Sequence, residues 1–174
     1  MKEFFLKSKR LGFSIWNIED LNKAIELWGN PEVTKFITAN GKMSEIQIEE
    51  RLKKEIDTYN KYKVQYFPVY LIQNSENIGC CGLRPYDIEK NIYEIGIHLN
   101  SKYFGKGFGT EALSAIIDYA FNKLNVNKLF AGHNPYNKAS ENLLKKVGFN
   151  YMKDEFYKPT GLYHPSYILK NIHH

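Results

Sequence analysis

Cysteine is scarce in this sequence of 174 residues, which contains two cysteines, Cys80 and Cys81, side by side. Neighbouring residues of a strand point to opposite faces of a sheet, so these thiols are poorly placed to form a disulfide. No cysteine and histidine spacing typical of a metal site is present, and we expect no metal. No histidine–aspartate partnership is recognisable beside them, which disfavours a covalent acyl-cysteine. Free thiols indicate a reducing compartment.

Long apolar runs are also absent. No segment approaches the roughly 20 apolar residues that a membrane-spanning helix needs. Residues 1–10 mix charges with two phenylalanines and lack the apolar stretch of a signal peptide. We therefore expect a cytoplasmic protein with no membrane partner.

The charge is mildly positive, with a formal net charge of +5 and no long basic run. Such a charge suits an anionic ligand such as a nucleotide pyrophosphate, and a solvated lysine-rich surface accounts for it as well. No motif that reads bases is recognisable, so no specific nucleic-acid partner is expected. The length fits one compact domain, and without a linker or repeat residues 1–174 are predicted to form it.

The hydrophobic pattern alternates between helical and extended spacing. It predicts strands at residues 11–16, 67–72, 78–84, 91–99, 128–132, 149–157 and 162–169. It predicts helices at 18–28 after Asn17, from Ser44 with a capping box to Tyr59, from the end of a glycine loop to Leu124, and at 137–147. An antiparallel meander followed by strand, helix and strand predicts an α+β fold with a mixed sheet of about seven strands and about four helices.

The loop that contains Gly105, Gly107 and Gly109 precedes a strongly amphipathic helix. Glycines let backbone amides turn toward one point, and the first amides of a helix carry partial positive charge. Together these groups suit a phosphate. The P-loop consensus is absent, and in the dinucleotide pattern the third glycine comes one residue early. From the loop alone, a phosphate site and a plain turn that begins a helix both remain open.

The glycine loop and four further segments resemble parts of one known family. Residues 104–112, FGKGFGTEA, resemble the coenzyme A pyrophosphate loop of the GNAT superfamily, in particular the Rim-type branch of ribosomal-protein-alanine N-acetyltransferases. Residues 137–149 resemble the second signature of that branch, an Asn-x-x-Ser helix that ends in Gly-Phe, and residues 93–99 resemble its fourth strand. Residues 9–11 and 30–33 are similar as well, so the resemblance spans nearly the whole chain.

The resemblance implies a single-domain GNAT fold, a mostly antiparallel sheet in which the strand ending at Leu99 splays from the parallel strand 128–132. It also implies acetyl-CoA as co-substrate. The acceptor would be the primary amine of a peptide, a protein N-terminus or a small molecule, attacking directly in a ternary complex. A non-catalytic coenzyme A-binding or regulatory domain is the alternative. The chain would be a monomer or a homodimer.

The resemblance also assigns residues to coenzyme A. These are Ile97, His98, Leu99, Phe104, Gly105, Lys106, Gly107, Phe108, Gly109, Thr110, Asn137 and Ser140. Backbone groups of residues 97–99 would pair with the pantetheine arm as an added strand does and would polarise the acetyl carbonyl. For Lys106, a phosphate contact and a solvated side chain remain open, and for Asn137, a pantetheine contact and a helix cap.

Glu94 is the candidate base, and a cross-strand salt bridge is its structural alternative. His98 is a weaker candidate, since a lone histidine on a strand is commonly structural. Many family members carry a tyrosine acid where this chain has Leu144. Ser140 lies one helical turn earlier, and the resemblance implies that a serine at this position hydrogen-bonds the coenzyme A sulfur. Ser140 is thus the first candidate for this role, or is a first-turn hydroxyl, and Tyr136 is the second candidate.

The acceptor site is the least defined part of the prediction. In this fold it is built largely by the first helices and the late strands, where aromatic residues are frequent. They are Trp28, Phe36, Tyr66, Tyr86, Phe156, Tyr157, Tyr163 and Tyr167. A pocket lining and a core position are both open for each, and we expect most to be core. No acidic cluster marks a polyamine or aminoglycoside site.

Overall fold

The computed structural model describes residues 2–173, so Met1 and His174, which the single-domain prediction includes, lie outside the described residues. In the described residues, eight strands form one sheet. They are β1 (Leu6–Lys7), β2 (Leu11–Phe13), β3 (Tyr66–Leu71), β4 (Asn77–Asp87), β5 (Ile92–Leu99), β6 (Lys128–Gly132), β7 (Asn150–Tyr157) and β8 (Leu162–Lys170). Their order across the sheet is β1-β2-β3-β4-β5-β6-β8-β7. Every neighbouring pair is antiparallel except β5 and β6, which are parallel.

Within residues 2–173, five α-helices accompany the sheet. They are α1 (Leu21–Trp28), α2 (Pro31–Thr34), α3 (Glu45–Tyr62), α4 (Phe108–Asn122) and α5 (Lys138–Lys146). The start of α3 has the predicted capping box, in which Ser44 and Gln47 exchange side-chain to backbone hydrogen bonds. Asn17 caps the first helical turn as expected, although that turn is a 3-10 helix that leads into α1.

The predicted α+β class and mixed sheet are confirmed, with one strand and one helix more than expected. The extra strand, β1, has two residues and is too short for a period-2 pattern to reveal. The extra helix, α2, is a single turn. Pro31 occupies its first turn and Asn30 caps it, so the proline that follows one helix also begins the next.

Two hydrophobic cores lie on opposite faces of the sheet. One is formed with α4 and includes Cys81, Leu113 and Ile116. The other is formed with α1 and α3 and includes Cys80 and Trp28. The two cysteines are thus buried on different faces, which confirms that they are poorly placed to form a disulfide.

Two negative findings hold within residues 2–173. None of the helices there is both long enough and apolar enough to cross a membrane. In the same part of the chain, no cluster of three or more histidine, cysteine, aspartate or glutamate side chains is arranged to hold a metal ion.

Candidate active site

The sheet divides in the middle. In the described residues, β5 pairs with β6 only through Ile92–Lys128, Tyr93–Leu129 and Glu94–Phe130. Beyond Glu94, β5 stays paired with β4 as far as Leu99, while β6 stays paired with β8 as far as Gly132. The two parallel strands therefore diverge immediately after Glu94, which confirms the predicted splay.

A groove with a volume of about 1190 Å³ runs along this division and reaches from α3 to the start of α4. Most of the sequence-predicted site residues line it: Glu94, Ile97, His98, Leu99, Phe104, Gly105, Gly107, Phe108, Gly109, Thr110, Asn137 and Ser140. Lys106 and Tyr136 are not among the described residues that line it, and the side chain of Tyr136 is exposed. The structure thus joins the glycine loop, β5 and α5 in one site and leaves Tyr136 outside it.

The glycine loop ends in a sharp change of backbone direction at Gly107. This residue has φ of 80°, a left-handed conformation that glycine adopts without penalty, and α4 begins directly after it. No side chain in the described part of the chain caps α4. Because the first amides of a helix have no partner within the helix, Phe108, Gly109 and Thr110 present donors and the positive end of the helix dipole to the groove. This is the geometry of an anion site.

Arg10, just before β2, braces the loop. Its backbone amide donates to Glu111 Oε1 at 2.7 Å, and its Nε donates to Glu111 Oε2 at 2.6 Å. Its Nη1 donates to the carbonyl of Lys106 at 3.1 Å, and its guanidinium lies over the Phe108 ring. The hydroxyl of Ser8 also donates to Glu111 at 2.6 Å. These contacts of Arg10 were not predicted from the sequence, because about a hundred residues separate the partners and no local pattern links them.

Glu94 lies at the point where the strands diverge. Its Oε1 accepts a hydrogen bond of 3.0 Å from the hydroxyl of Tyr66 on β3. Burial, followed by the nearby charge of Glu94, raises the pKa of Tyr66 well above its ordinary value, so the phenol stays protonated and donates. The ring of Tyr66 crosses β5 at Gly96, where a Cβ would come within 2.3 Å of the ring. Gly96 therefore lets Tyr66 reach and orient Glu94.

The imidazole of His98 is part of a buried aromatic cluster. Its Nδ1 accepts a hydrogen bond of 3.1 Å from the indole N–H of Trp28, which places the ring proton on Nε2. Burial, and then the positive charges of Arg51 and Arg84, lower the pKa of His98 well below its ordinary value. In a neutral ring of this tautomer one nitrogen carries the proton and the other accepts from Trp28, which favours the structural role over that of a base.

The start of α5 contributes Asn137 and Ser140. The Oδ1 of Asn137 accepts from the backbone amide of Ser140 at 3.1 Å, so Asn137 caps the helix, one of the two roles left open for it. Among the described residues, the Ser140 hydroxyl has no hydrogen-bond partner, and it lines the groove. Leu144, one turn later, is buried beside it. A hydroxyl is therefore available at the position where the resemblance places a contact with sulfur.

The aromatic residues near the acceptor end differ from expectation. Trp28, Tyr66 and Tyr167 are buried. Most of the others are not core: Tyr86, Phe156, Tyr157 and Tyr163 are exposed, and all of these except Tyr163 line the groove together with Phe36. The expectation that most are core is therefore wrong, because three of the eight are buried and five are not.

A family model corresponds to this architecture. The model of the acetyltransferase (GNAT) domain matches residues 10–150, more than half of the chain. This chain belongs to the GNAT acetyltransferase family. The GNAT domain accounts for the divided sheet and for the glycine loop before α4 within one fold.

Individual relatives agree with the family. An uncharacterized N-acetyltransferase p20 from Bacillus licheniformis is 31% identical over 144 residues, which cover 83% of this chain and 81% of that protein. A solved GNAT-family acetyltransferase from Bacillus anthracis has a TM-score of 0.81 and 25% identity, with 97% of this chain and 99% of that chain covered. The family and these relatives are N-acetyltransferases, which confirms the predicted enzyme class.

A Rim-type structure is similar in fold. A ribosomal-protein α-N-acetyltransferase solved in complex with coenzyme A has a TM-score of 0.82 at 12% identity and covers 97% of this chain and 98% of that one. The predicted likeness to Rim-type enzymes is thereby confirmed at the level of the fold. Enzymes of the GNAT family use acetyl-CoA.

Proposed function

We propose that this chain transfers the acetyl group of acetyl-CoA to a primary amine by direct attack in a ternary complex. The observation that carries this proposal is the divergence of β5 from β6 beside the uncapped start of α4, with Glu94 at the point of divergence. One groove thereby contains an anion site, an unpaired strand and a carboxylate. In this proposal the anion site binds the diphosphate, the unpaired strand binds the pantetheine arm, and the carboxylate accepts the proton of the amine.

The amides of residues 107–110 hold the diphosphate of coenzyme A in this proposal, and Arg10 and Glu111 keep the loop in position. Backbone groups of Ile97, His98 and Leu99, which face no strand on the β6 side, pair with the pantetheine arm as a strand pairs with a sheet edge. The same backbone donors stabilise the negative charge that develops on the thioester oxygen.

Glu94 accepts the proton of the attacking amine, directly or through water, because an amine must be neutral to attack. Tyr66 holds the carboxylate in place through its 3.0 Å hydrogen bond. Ser140 donates its hydroxyl hydrogen bond to the departing sulfur. Tyr136 is not retained for this role, because it is exposed outside the groove.

The first test is binding. Calorimetry with acetyl-CoA should give a dissociation constant in the micromolar range or tighter. An absence of heat at millimolar acetyl-CoA would contradict the placement of the co-substrate in this groove.

The second test separates the enzyme from a non-catalytic coenzyme A-binding domain. A panel of peptide N-termini, amino acids, polyamines and aminoglycosides is screened by release of free thiol. On the best acceptor, Glu94→Gln should lower kcat by about 10²- to 10⁴-fold and leave acetyl-CoA affinity intact. Glu89→Gln is the matched control, since Glu89 is exposed in the turn between β4 and β5. Tight acetyl-CoA binding with no turnover of any acceptor supports the non-catalytic alternative.

A further inference from the structure

Three cations line the groove near Tyr66, whose hydroxyl holds the proposed base. Arg51 and Lys54 lie three residues apart on α3, which places them on one face of that helix. Arg84 is the β4 partner of Glu94 across the β4–β5 pair. All three line the groove. Both guanidinium groups lie against the ring of Tyr66, with Arg84 at 4.4 Å and Arg51 at 5.4 Å from its centre.

The carboxylates nearby do not balance this charge. Glu55 is buried and fully used: it accepts from Arg51 Nε at 2.8 Å and from the amide of Tyr66 at 2.8 Å, and it lies 3.6 Å from Arg84. Glu94 is the second carboxylate and accepts from Tyr66. Three cations thus face two carboxylates on this side of the groove, an excess of one positive charge. Glu50 and Asp57 line a separate pocket with Lys54 and form no ion pair with it in the described residues. The excess grows by one when Glu94 takes up a proton.

Two of the cations retain unused donors. The Nη2 atom of Arg51 is buried and has no hydrogen-bond partner among the described residues. The guanidinium lies against the rings of Trp28 and Tyr66, at 5.1 Å and 5.4 Å from their centres. A buried charged donor without a partner is costly, and an anion removes that cost.

In the described part of the chain, Lys54 forms no ion pair. Partial burial and the charges of Arg84 and Arg51 lower its pKa. Glu155, also in the groove, pairs with Lys153 at 3.3 Å.

We infer that the acceptor carries a carboxylate next to its primary amine, and that Arg51, Arg84 and Lys54 bind this carboxylate while Glu94 receives the amine proton. The inference rests on the proposed function and names its acceptor class. The placement fits, because Arg84 and Glu94 are cross-strand partners and both contact Tyr66, the first at its ring and the second at its hydroxyl. A free α-amino acid and an N-terminal peptide with an aspartate or glutamate side chain both have this chemistry. A polyamine would place further positive charge beside three cations.

The experiment compares acceptors that differ only in the carboxylate. One set compares free amino acids with their amides. A second set compares peptides that have aspartate at the first or second position with the corresponding asparagine peptides. Spermidine is included as a polycation without a carboxylate. The carboxylate member of at least one set should have a kcat/KM at least about tenfold higher, since hydrogen bonds to charged groups are the strong ones. The set that shows this preference identifies the source of the carboxylate.

Two variants test whether the three cations produce the preference. Arg51→Lys keeps a cation beside Glu55 and removes the guanidinium fork, and Lys54→Met removes a charge that holds no ion pair. Each should reduce the ratio of kcat/KM between carboxylate and amide acceptors several-fold, mainly through KM. Lys53→Met is the matched control. Lys53 is the neighbour of Lys54 on α3, pairs with Glu49 at 3.5 Å and does not line the groove, so the ratio should not change.

The outcomes distinguish this inference from the function on which it rests. Turnover of amides as fast as carboxylates, or spermidine as the best acceptor, overturns the inference and leaves the acetyltransferase proposal intact. A preference that survives both Arg51→Lys and Lys54→Met overturns the assignment to these side chains. Tight binding of acetyl-CoA with no turnover of any acceptor overturns the proposed function itself.

Discussion

The carboxylate of Glu111, in the first turn of α4, accepts hydrogen bonds from both the backbone amide and the side chain of Arg10. The same guanidinium donates to the carbonyl of Lys106, inside the glycine loop. Burial alone would raise the pKa of Glu111, but hydrogen bonds from Ser8 and Arg10 lower it, so the carboxylate stays charged and the brace holds. Hydrogen bonds therefore connect the segment between β1 and β2 directly to the loop that forms the proposed phosphate site.

Arg10→Met should weaken acetyl-CoA binding, because it removes the side-chain half of this brace and a positive charge beside the loop. We expect a loss of about 5- to 30-fold in affinity, which corresponds to roughly 1–2 kcal/mol for partly exposed charged hydrogen bonds. Calorimetry measures it. Lys9→Met is the control, since it removes the adjacent exposed cation, and equal affinities of the two variants would contradict the role assigned to Arg10.

Gly107→Val should abolish acetyl-CoA binding. The residue has φ of 80°, and its Cβ would come 3.4 Å from the guanidinium of Arg10, at the entrance to the anion site. The backbone penalty, about 1–2 kcal/mol, also lowers stability. Gly161→Val isolates that penalty, because Gly161 has φ of 69° in the β7–β8 turn with open space around it. A Gly107→Val protein that binds acetyl-CoA as tightly as Gly161→Val would refute the placement of the phosphates.

Acidification should destabilise the protein in part through His98. The pKa of His98 in the folded state lies well below its ordinary value, mainly because of burial, so between that value and about 6.5 the unfolded chain binds a proton that the folded chain does not. Stability therefore falls as the pH drops below about 6.5, by at most about 1.4 kcal/mol per pH unit for this group.

Urea unfolding of the parent and of His98→Gln from pH 7 to pH 5 measures this contribution. Glutamine can accept the hydrogen bond from Trp28 and does not titrate, so the variant should lose less stability over this range. Parallel curves for the two proteins would show that His98 is protonated equally in the folded and unfolded states.

The two thiols should be unreactive in the folded protein. Cys80 and Cys81 are both buried, and burial raises the pKa of Cys80 to about 12 and that of Cys81 well above its ordinary value. A thiol-specific chromogenic reagent at pH 8 should modify neither residue in the folded state and both after unfolding. Rapid modification of the folded protein, or an acetyl-cysteine found by mass spectrometry, would argue for a covalent intermediate and against direct attack.

Local patterns predicted the elements that depend on local physics. The amphipathic repeat after Gly109 became α4, the Ser44–Gln47 capping box begins α3, and the adjacent cysteines face opposite sides of the sheet. The positions that local patterns missed are the short elements β1 and α2, since two and four residues carry too little periodicity.

Only part of the candidate site was predicted, because the sequence shows local motifs but not contacts between distant segments. The glycine loop and Glu94 stand in recognisable motifs, and the structure places them in one groove. Tyr136 comes just before the motif at 137–149, and its side chain is exposed and is not among the described residues that line the groove. Tyr66 contacts Arg51, Arg84 and Glu94, and these four residues belong to α3, β3, β4 and β5. No local spacing in the sequence predicts contacts between such distant segments.

The sequence by itself determined the type of each long element, the glycine-rich turn before α4 and the resemblance to one family, because these depend on residues that are close along the chain. Only the tertiary structure decided that the opening of the sheet begins immediately after Glu94, that Arg10 braces the loop, and that one guanidinium nitrogen of Arg51 is buried without a hydrogen-bond partner in the described residues. These features depend on which strands remain paired and which charges find partners, and chain folding brings those groups together from distant positions.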